Sequence, residues 1–191
     1  FKPDEYKFGA YALTEPGAGS DAKNIRTTCR RDGDHWVLNG SKMYITNGKK
    51  AEWSVVFATI DPTLGRAGHR TFVVERGTPG LSTSGSTPKM GQEGAPIGEV
   101  YLDNCRVAAD AVIGLTPGQG FRTVMKCLNK QRVNLAALST GPAIRMLDEA
   151  VLYPPERRQC GRAIGEFQLG EALPGGSQVA IQGGRPLSPG T

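Results

Sequence analysis

The residue types best suited to chemistry sit in one short string, Thr14-Glu15-Pro16-Gly17-Ala18-Gly19-Ser20-Asp21. Glycines at 17 and 19 leave backbone N–H groups open to anionic or carbonyl oxygens, as in phosphate-cradling turns. Gly17 to Ala22 also fits the G-x-G-x-x-G/A dinucleotide pattern letter for letter. That pattern works only between a buried strand and a helix, with an acid about 20 residues further on. Here Lys23 to Arg31 carries Ile25, Thr27 and Thr28 into a hairpin signal, and Lys42 stands where the acid should be. A Rossmann site is therefore rejected. Other chemistries have less support. His35 and His69 are isolated beside Gly/Asp-rich turns, without the spacing of a metal site or a triad. Cys29, Cys105, Cys127 and Cys160 form no CxxC pair; they read as free thiols of a reducing compartment, with no zinc site.

The elements that must hold this string are mostly strands. Gly33 in Asp32-Gly33-Asp34, flanked by Thr27 to Arg31 and His35 to Leu38, is a hairpin signal. Tyr6 to Thr14, Lys42 to Thr46, Trp53 to Ile60, Arg70 to Glu75, Leu81 to Ser86 and Glu99 to Val107 complete the set, with Asn39-Gly40 and Asn47-Gly48 as turns. Short strands at this spacing predict a barrel or sandwich of antiparallel pairs. After Thr116-Pro117-Gly118 the period becomes helical, with Phe121, Val124, Met125 and Leu128 at i, i+3, i+4, i+7. Gly141-Pro142 should end that helix and Pro154-Pro155 a second one carrying Ile144, Leu147 and Val151. From Leu169 to Thr191 neither period survives among the glycines and prolines, and disorder is the expectation.

Composition narrows the class. Glycine (26) and proline (13) make up about a fifth of 191 residues, which argues against a long helical bundle. No apolar run is long enough to span a membrane. The net charge of +5 fits a solvated mixed surface or attraction to an anionic partner, and charge alone does not choose. Lys49-Lys50 and Arg30-Arg31 lack interleaved aromatics, so a nucleic-acid module has little support. The start at Phe1, without Met or an apolar signal core, reads as a chain cut from something longer.

Tyr11 to Asp21 as a whole resembles the signature of the acyl-CoA dehydrogenase family of flavoproteins, T/S-E-x-x-x-G-S/T-D after an apolar pair. Leu38 to Gly48 is similar to a second family element. Lys89-Met90-Gly91 with Glu99 to Val107 resembles a third, and Glu156 to Gly161 with Glu166-Phe167-Gln168 a fourth. The resemblance implies an α+β fold. An antiparallel β-barrel or sandwich middle domain would span 1–116, the start of the C-terminal helical domain 117–168, and a Gly/Pro-rich tail 169–191. The family's N-terminal helical domain would be missing.

By the same resemblance, FAD would be lined by Tyr11, Leu13, Thr14, Gly19, Ser20, Tyr44, Ile45 and Thr46. The hydroxyls of Thr14, Ser20 and Thr46 can donate to a flavin ring or a pyrophosphate. Tyr44 stands where Trp is usual, keeping an aromatic face while adding a hydroxyl that needs a partner. Ser20, Asn129 and Arg132 would contact the acyl-CoA substrate, the arginine having either an electrostatic role towards a phosphorylated ligand or a salt bridge within the helical layer. Arg157, Arg158, Gln159, Phe167 and Gln168 match residues reaching the FAD of a neighbouring subunit, which implies a homodimer or homotetramer. Electron-transfer flavoprotein is the implied electron acceptor, and the compartment, cytoplasm or mitochondrial matrix, stays open.

No catalytic carboxylate is identified. The family's reaction needs one with a raised pKa, in most members far along the C-terminal domain. In a minority it immediately precedes the arginine matched by Arg132, where this chain has Gln131. Glu149 and Glu156 read as solvated helix charges. Pro154-Pro155 and Cys160 also depart from the family pattern, and loss of resemblance after Gln168 is the expectation of a frameshift, aberrant splice or truncated gene. Two functions follow: a dehydrogenase fragment with little or no turnover of its own, or a non-catalytic FAD/acyl-CoA-binding or interaction β-domain.

Overall fold

Gly33 takes φ 61° in the Asp32-Gly33-Asp34 turn, and the strands it joins, β2 (Thr28–Asp32) and β3 (His35–Thr46), pair antiparallel with Asp32 opposite His35. In this computed structural model the described residues are 7–114 and 119–184. The expected strand start at Tyr6 and the boundary at Thr116-Pro117-Gly118 lie outside them. Two units emerge, Phe1–Val124 and Met125–Thr191.

The first unit is a sheet. Around β2 and β3 lie β1 (Gly9–Ala12), β4 (Trp53–Thr59), β5 (His69–Glu75), β6 (Leu81–Thr83) and β7 (Ile97–Ala108). Their order is β1-β4-β2-β3-β7-β6, with β5 also on β4, and the sheet curls into a half-barrel. It is mixed, not built from antiparallel pairs alone: β1 runs parallel to β4, and β2 meets β4 in parallel at Thr28–Thr59.

The expected turn at Asn39-Gly40 is also corrected, because β3 runs straight through it. Gly40 (φ 151°) is needed for close approach: a Cβ there would lie 2.8 Å from the Thr27 Cα. Opposite it, the pairing steps from Leu38–Cys105 to Gly40–Leu102, so β7 carries one extra residue and Asn104 adopts φ 47°. Alternation along β7 aims Val100 and Leu102 inward before this bulge and Cys105 and Val107 after it. They meet Leu38, Ile45, Val56, Phe72 and Val74 in one core. Burial pushes the thiols of Cys29 and Cys105 up to about 12 and about 11, so these sulfurs stay protonated filler.

Helix α1 (Gln119–Glu156) begins in the first unit. The Phe121 ring lies 5.0 Å from the buried His69 ring, tilted 59° to it, and a Cβ on Gly120 would meet the Thr71 Oγ1 at 2.8 Å. His69 Nε2 lies 3.2 Å from the Lys23 carbonyl, while Nδ1 has no hydrogen-bond partner among the described residues. Burial lowers the pKa of His69. As pH falls through the ordinary histidine range the unfolded chain takes up a proton that the folded chain resists, so stability must fall with it. The thermal midpoint should therefore drop more steeply from pH 7 to 5 in the native sequence than in His69→Phe; equal slopes would contradict this.

In the second unit, the expected pair of helices divided at Gly141-Pro142 is one helix that continues past Pro142, Pro154 and Pro155. In the turn before Pro142, the Ser139 and Thr140 hydroxyls donate to the Leu135 and Ala136 carbonyls, both at 2.9 Å. A short hairpin follows, β8 (Arg158–Gln159) and β9 (Arg162–Ala163), turning at Cys160 and Gly161 with φ 52° and 79°.

The tail expectation is overturned as well: Gln168–Gly184 forms helix α2, and only 185–191 lie outside the described residues. The helix forms despite the poor helix propensity of its glycines and Pro174. Leu173 and Ile181 of α2 line a cleft of about 640 Å³ with Leu147, Ala150, Pro154 and Ile164, and Ile181 is buried.

Candidate functional site

The first unit brings the two motif strings together through backbone and buried side chains. Thr14 accepts a hydrogen bond from Met43 N–H at 2.9 Å, so the segment after β1 lies against the second half of β3. There the β3–β7 pairing shifts between Lys42 and Ile45, three steps on β3 against two on β7 (Lys42–Val100, then Ile45–Gly98). The extra residue is a bulge, and Tyr44 within it takes φ 57°. Tyr44 is thereby turned outward, 61% exposed, while the Ile45 side chain goes into the core. Of Ile45, only the backbone can face a ligand.

Thr46, Gly19 and Ser20 are exposed, and Leu13 and Thr14 are half-buried. Tyr11 is half-buried with its ring 5.0 Å from Phe57. Cβ atoms built on Gly17 or Gly19 would meet nothing within 4 Å, which leaves that turn open. Its closure is internal: Glu15 and Ala18 exchange both backbone hydrogen bonds, at 3.0 and 3.1 Å. The hydroxyls of Thr14, Ser20 and Thr46 make no hydrogen bond among the described residues. Open backbone, an outward aromatic ring and three uncommitted hydroxyls suit a planar polar ring carrying phosphates. FAD therefore fits the residues present.

Beneath this surface lies a pair to which the motif reading gave no role. Glu15 and Lys42 are both buried, and Lys42 Nζ donates to Glu15 Oε1 at 2.8 Å. Glu15 also accepts from Arg26 N–H (2.6 Å), Thr27 N–H (3.0 Å) and the Thr27 hydroxyl (2.6 Å). Lys42 Nζ reaches the Leu13 carbonyl at 3.3 Å as well. Burial alone would raise the Glu15 pKa, yet the Lys42 charge and the four hydrogen bonds hold it below the ordinary carboxylate value. Burial pushes the Lys42 ammonium down to about 8 against the pull of Glu15. A signal for Lys42 did exist: it sits four residues after Leu38, on the core-facing parity of a strand.

The second unit carries the remaining residues. Asn129 and Arg132 are exposed one turn apart on α1, and Arg132 Nη1 donates to Asn129 Oδ1 at 3.1 Å. This contact is local and leaves the guanidinium in solvent. Arg157, Arg158, Gln159 and Gln168 are exposed around the β8–β9 hairpin. Phe167 is half-buried, with the Arg162 guanidinium 3.9 Å over its ring. Gln131 is exposed on α1. Among the described residues no group of three or more His, Cys, Asp or Glu could hold a metal ion, and no helix is long and apolar enough to cross a membrane.

Comparison with known proteins gives two family matches. The family model for the acyl-CoA dehydrogenase middle domain matches residues 10–105, and that for the acyl-CoA dehydrogenase C-terminal domain matches residues 118–187. The second match continues past Gln168, so the expected loss of resemblance there is corrected. A probable acyl-CoA dehydrogenase of Mycobacterium tuberculosis is 42% identical over 164 residues, 86% of this chain and 42% of that protein. The glutaryl-CoA dehydrogenase of Desulfococcus multivorans is 39% identical over 181 residues, 94% of this chain and 46% of that one. The solved structure of butyryl-CoA dehydrogenase from Megasphaera elsdenii superposes with a TM-score of 0.89 at 35% identity, covering 94% of this chain and 47% of its own. The chain thus spans a little under half the length of the relatives it matches.

Proposed function

Because the chain belongs to the acyl-CoA dehydrogenase family, we propose that its β-sheet unit carries part of the FAD- and acyl-CoA-binding surface of an FAD-dependent acyl-CoA dehydrogenase. The observation that supports this best is the Thr14–Met43 contact, which joins the segment leading into the Gly17–Ser20 turn to the strand entering the Tyr44 bulge. On this reading Tyr11, Leu13, Thr14, Gly19, Ser20, Tyr44, Thr46 and the backbone of Ile45 hold FAD. Bound FAD supplies the acceptor for the hydride leaving the acyl β-carbon. Thr14 and Thr46 would supply hydroxyl donors to the flavin, Tyr44 an aromatic surface, and Gly19 and Ser20 N–H and hydroxyl donors to phosphate oxygens.

Asn129 and Arg132 serve the acyl-CoA, Arg132 as a fixed positive charge for a carbonyl or phosphate oxygen. Arg157, Gln159, Phe167 and Gln168 reach the FAD of a second subunit in a homodimer or homotetramer, and electrons pass on to an electron-transfer flavoprotein. Removing the α-proton of the thioester requires a base, and none of the residues assigned here is one. The chain alone should therefore turn over little or no acyl-CoA. Gln131, an amide that cannot accept that proton, equally favours a second reading, a binding module without turnover.

Titrating FAD with the chain and following flavin fluorescence tests the binding claim. Saturable quenching is expected, and Thr46→Val should weaken it about threefold to tenfold, the worth of one hydrogen bond. No saturation would contradict the FAD reading. Recombinant chain oxidising an acyl-CoA as fast as complete family members would contradict the prediction of low turnover.

A further inference from the structure

We propose that Glu15 and Lys42 are positioning residues that lock the flavin-facing segments 13–20 and 43–46 to each other and hold β3 in register as it enters the Tyr44 bulge. The claim rests on the FAD reading above. Neither side chain can touch a ligand, being 5% and 0% exposed. Their partners are what matter: Leu13 carbonyl on one segment, and the Arg26 and Thr27 N–H groups that close the far end of the loop opened at Glu15.

A buried ion pair is a weak device for stability, since well-packed apolar residues of similar volume do as well or better. Its distinctive property is directional. A bulge can sit at more than one step of a ladder, and a one-residue slip sends each side chain to the opposite face. Such a slip would send Tyr44 and Thr46 inward. Lys42 immediately precedes this bulge, opposite Val100, and a one-residue slip that carries segment 42–46 as a whole would turn its ammonium away from Glu15. The same ammonium reaches the Leu13 carbonyl, one residue from the Thr14–Met43 bond. Specificity of register is thus what the pair adds over an apolar pair.

The test is the double variant Glu15→Gln/Lys42→Met in the full chain, which removes both charges at similar volume. Three readouts are taken: the thermal midpoint, the FAD dissociation constant, and hydrogen exchange of the Ala18 and Met43 amides. Neither amide bonds to either altered side chain. Expected are a midpoint near that of the native sequence, FAD binding weakened at least about tenfold, and Ala18 and Met43 exchange accelerated by a similar factor, with Val56 and Val74 unchanged. A merely structural pair predicts binding and exchange that recover along with the midpoint, and that result overturns the proposal.

Should the double variant fail to fold, Thr27→Val removes one donor to Glu15 and leaves the charges in place. FAD affinity and Met43 protection should then fall about threefold, and no change in either would overturn the claim. A native chain that binds no FAD at all counts against the functional reading alone, and the exchange rates still decide whether the pair positions these segments.

Discussion

Lys42→Met alone should destabilise the β-sheet unit by about 3–5 kcal/mol, because it strands a carboxylate in the interior. In the native structure Glu15 is ionised at little cost: Lys42 Nζ stands 2.8 Å away, and three further donors point at its oxygens. Methionine fills much of the lysine volume but returns none of that charge. Urea denaturation followed by tryptophan fluorescence reads the effect directly, since Trp36 and Trp53, the two tryptophans of the chain, both lie in this unit. The midpoint should fall with little change in slope.

The pH dependence should also reverse around this site. In the native chain Glu15 has a lowered pKa, so its contribution is present above the ordinary carboxylate range and lost as pH falls through the folded value. Without Lys42, burial is left to raise that pKa above its unfolded value. The variant should therefore gain stability relative to the native chain as pH drops from 7 to 5. A loss below about 1 kcal/mol, the worth of a surface pair, would mean that the carboxylate is hydrated in spite of the packing.

Gly40→Ala should cost about 2–5 kcal/mol, combining a strained backbone with overpacking. Gly40 adopts φ 151°, and an added Cβ would lie 2.6 Å from the Thr27 Oγ1, 2.8 Å from its Cα and 2.9 Å from its Cβ. The nearest atoms include backbone, so no rotamer change relieves the contact. Thr27 is also one of the groups holding Glu15, so the substitution presses on the buried pair from behind. Gly33→Ala is the useful control: it shares a positive φ but meets nothing within 4 Å, so it should lose only the conformational part, about 1 kcal/mol. Equal losses at the two sites would show that contact with Thr27 is not what Gly40 avoids.

Much of this architecture was legible in the residues because local chemistry and tertiary placement agree. Asp32-Gly33 reads as a hairpin and is one; Asn47 ends β3 at φ 60°, as its turn signal implies. Trp53 to Thr59 and His69 to Glu75 are apolar, β-branched runs and pair along their whole length. The failures come where a local cue has two physical meanings. Glycine at position 40 signals a turn or a close approach, and only Thr27, thirteen residues earlier in the chain, decides between them. Proline at 142 signals a stop, yet α1 continues past it. Glycines and Pro174 signal disorder, yet Gln168–Gly184 is helical and buries Ile181.

At the site, the exposed residues were legible as a motif and the support beneath them was not. A lysine is read as solvated by default, and its carboxylate partner lies 27 residues away across a sheet. Nothing in the spacing of Glu15 and Lys42 links them. The strand parity that places Lys42 with Leu38 shows that it points inward but not what it meets. The bulge that turns Tyr44 outward depends on pairing with β7, fifty-odd residues further along, and is equally invisible to a local reading.

The central claim is that the surface formed by Tyr11–Ser20 and Tyr44–Thr46 binds FAD. The most direct measurement is the visible absorption spectrum of the purified chain after mixing with FAD and desalting. A retained flavin band with a shifted maximum is the predicted result. A colourless protein would contradict it, showing that these two segments do not by themselves hold the cofactor.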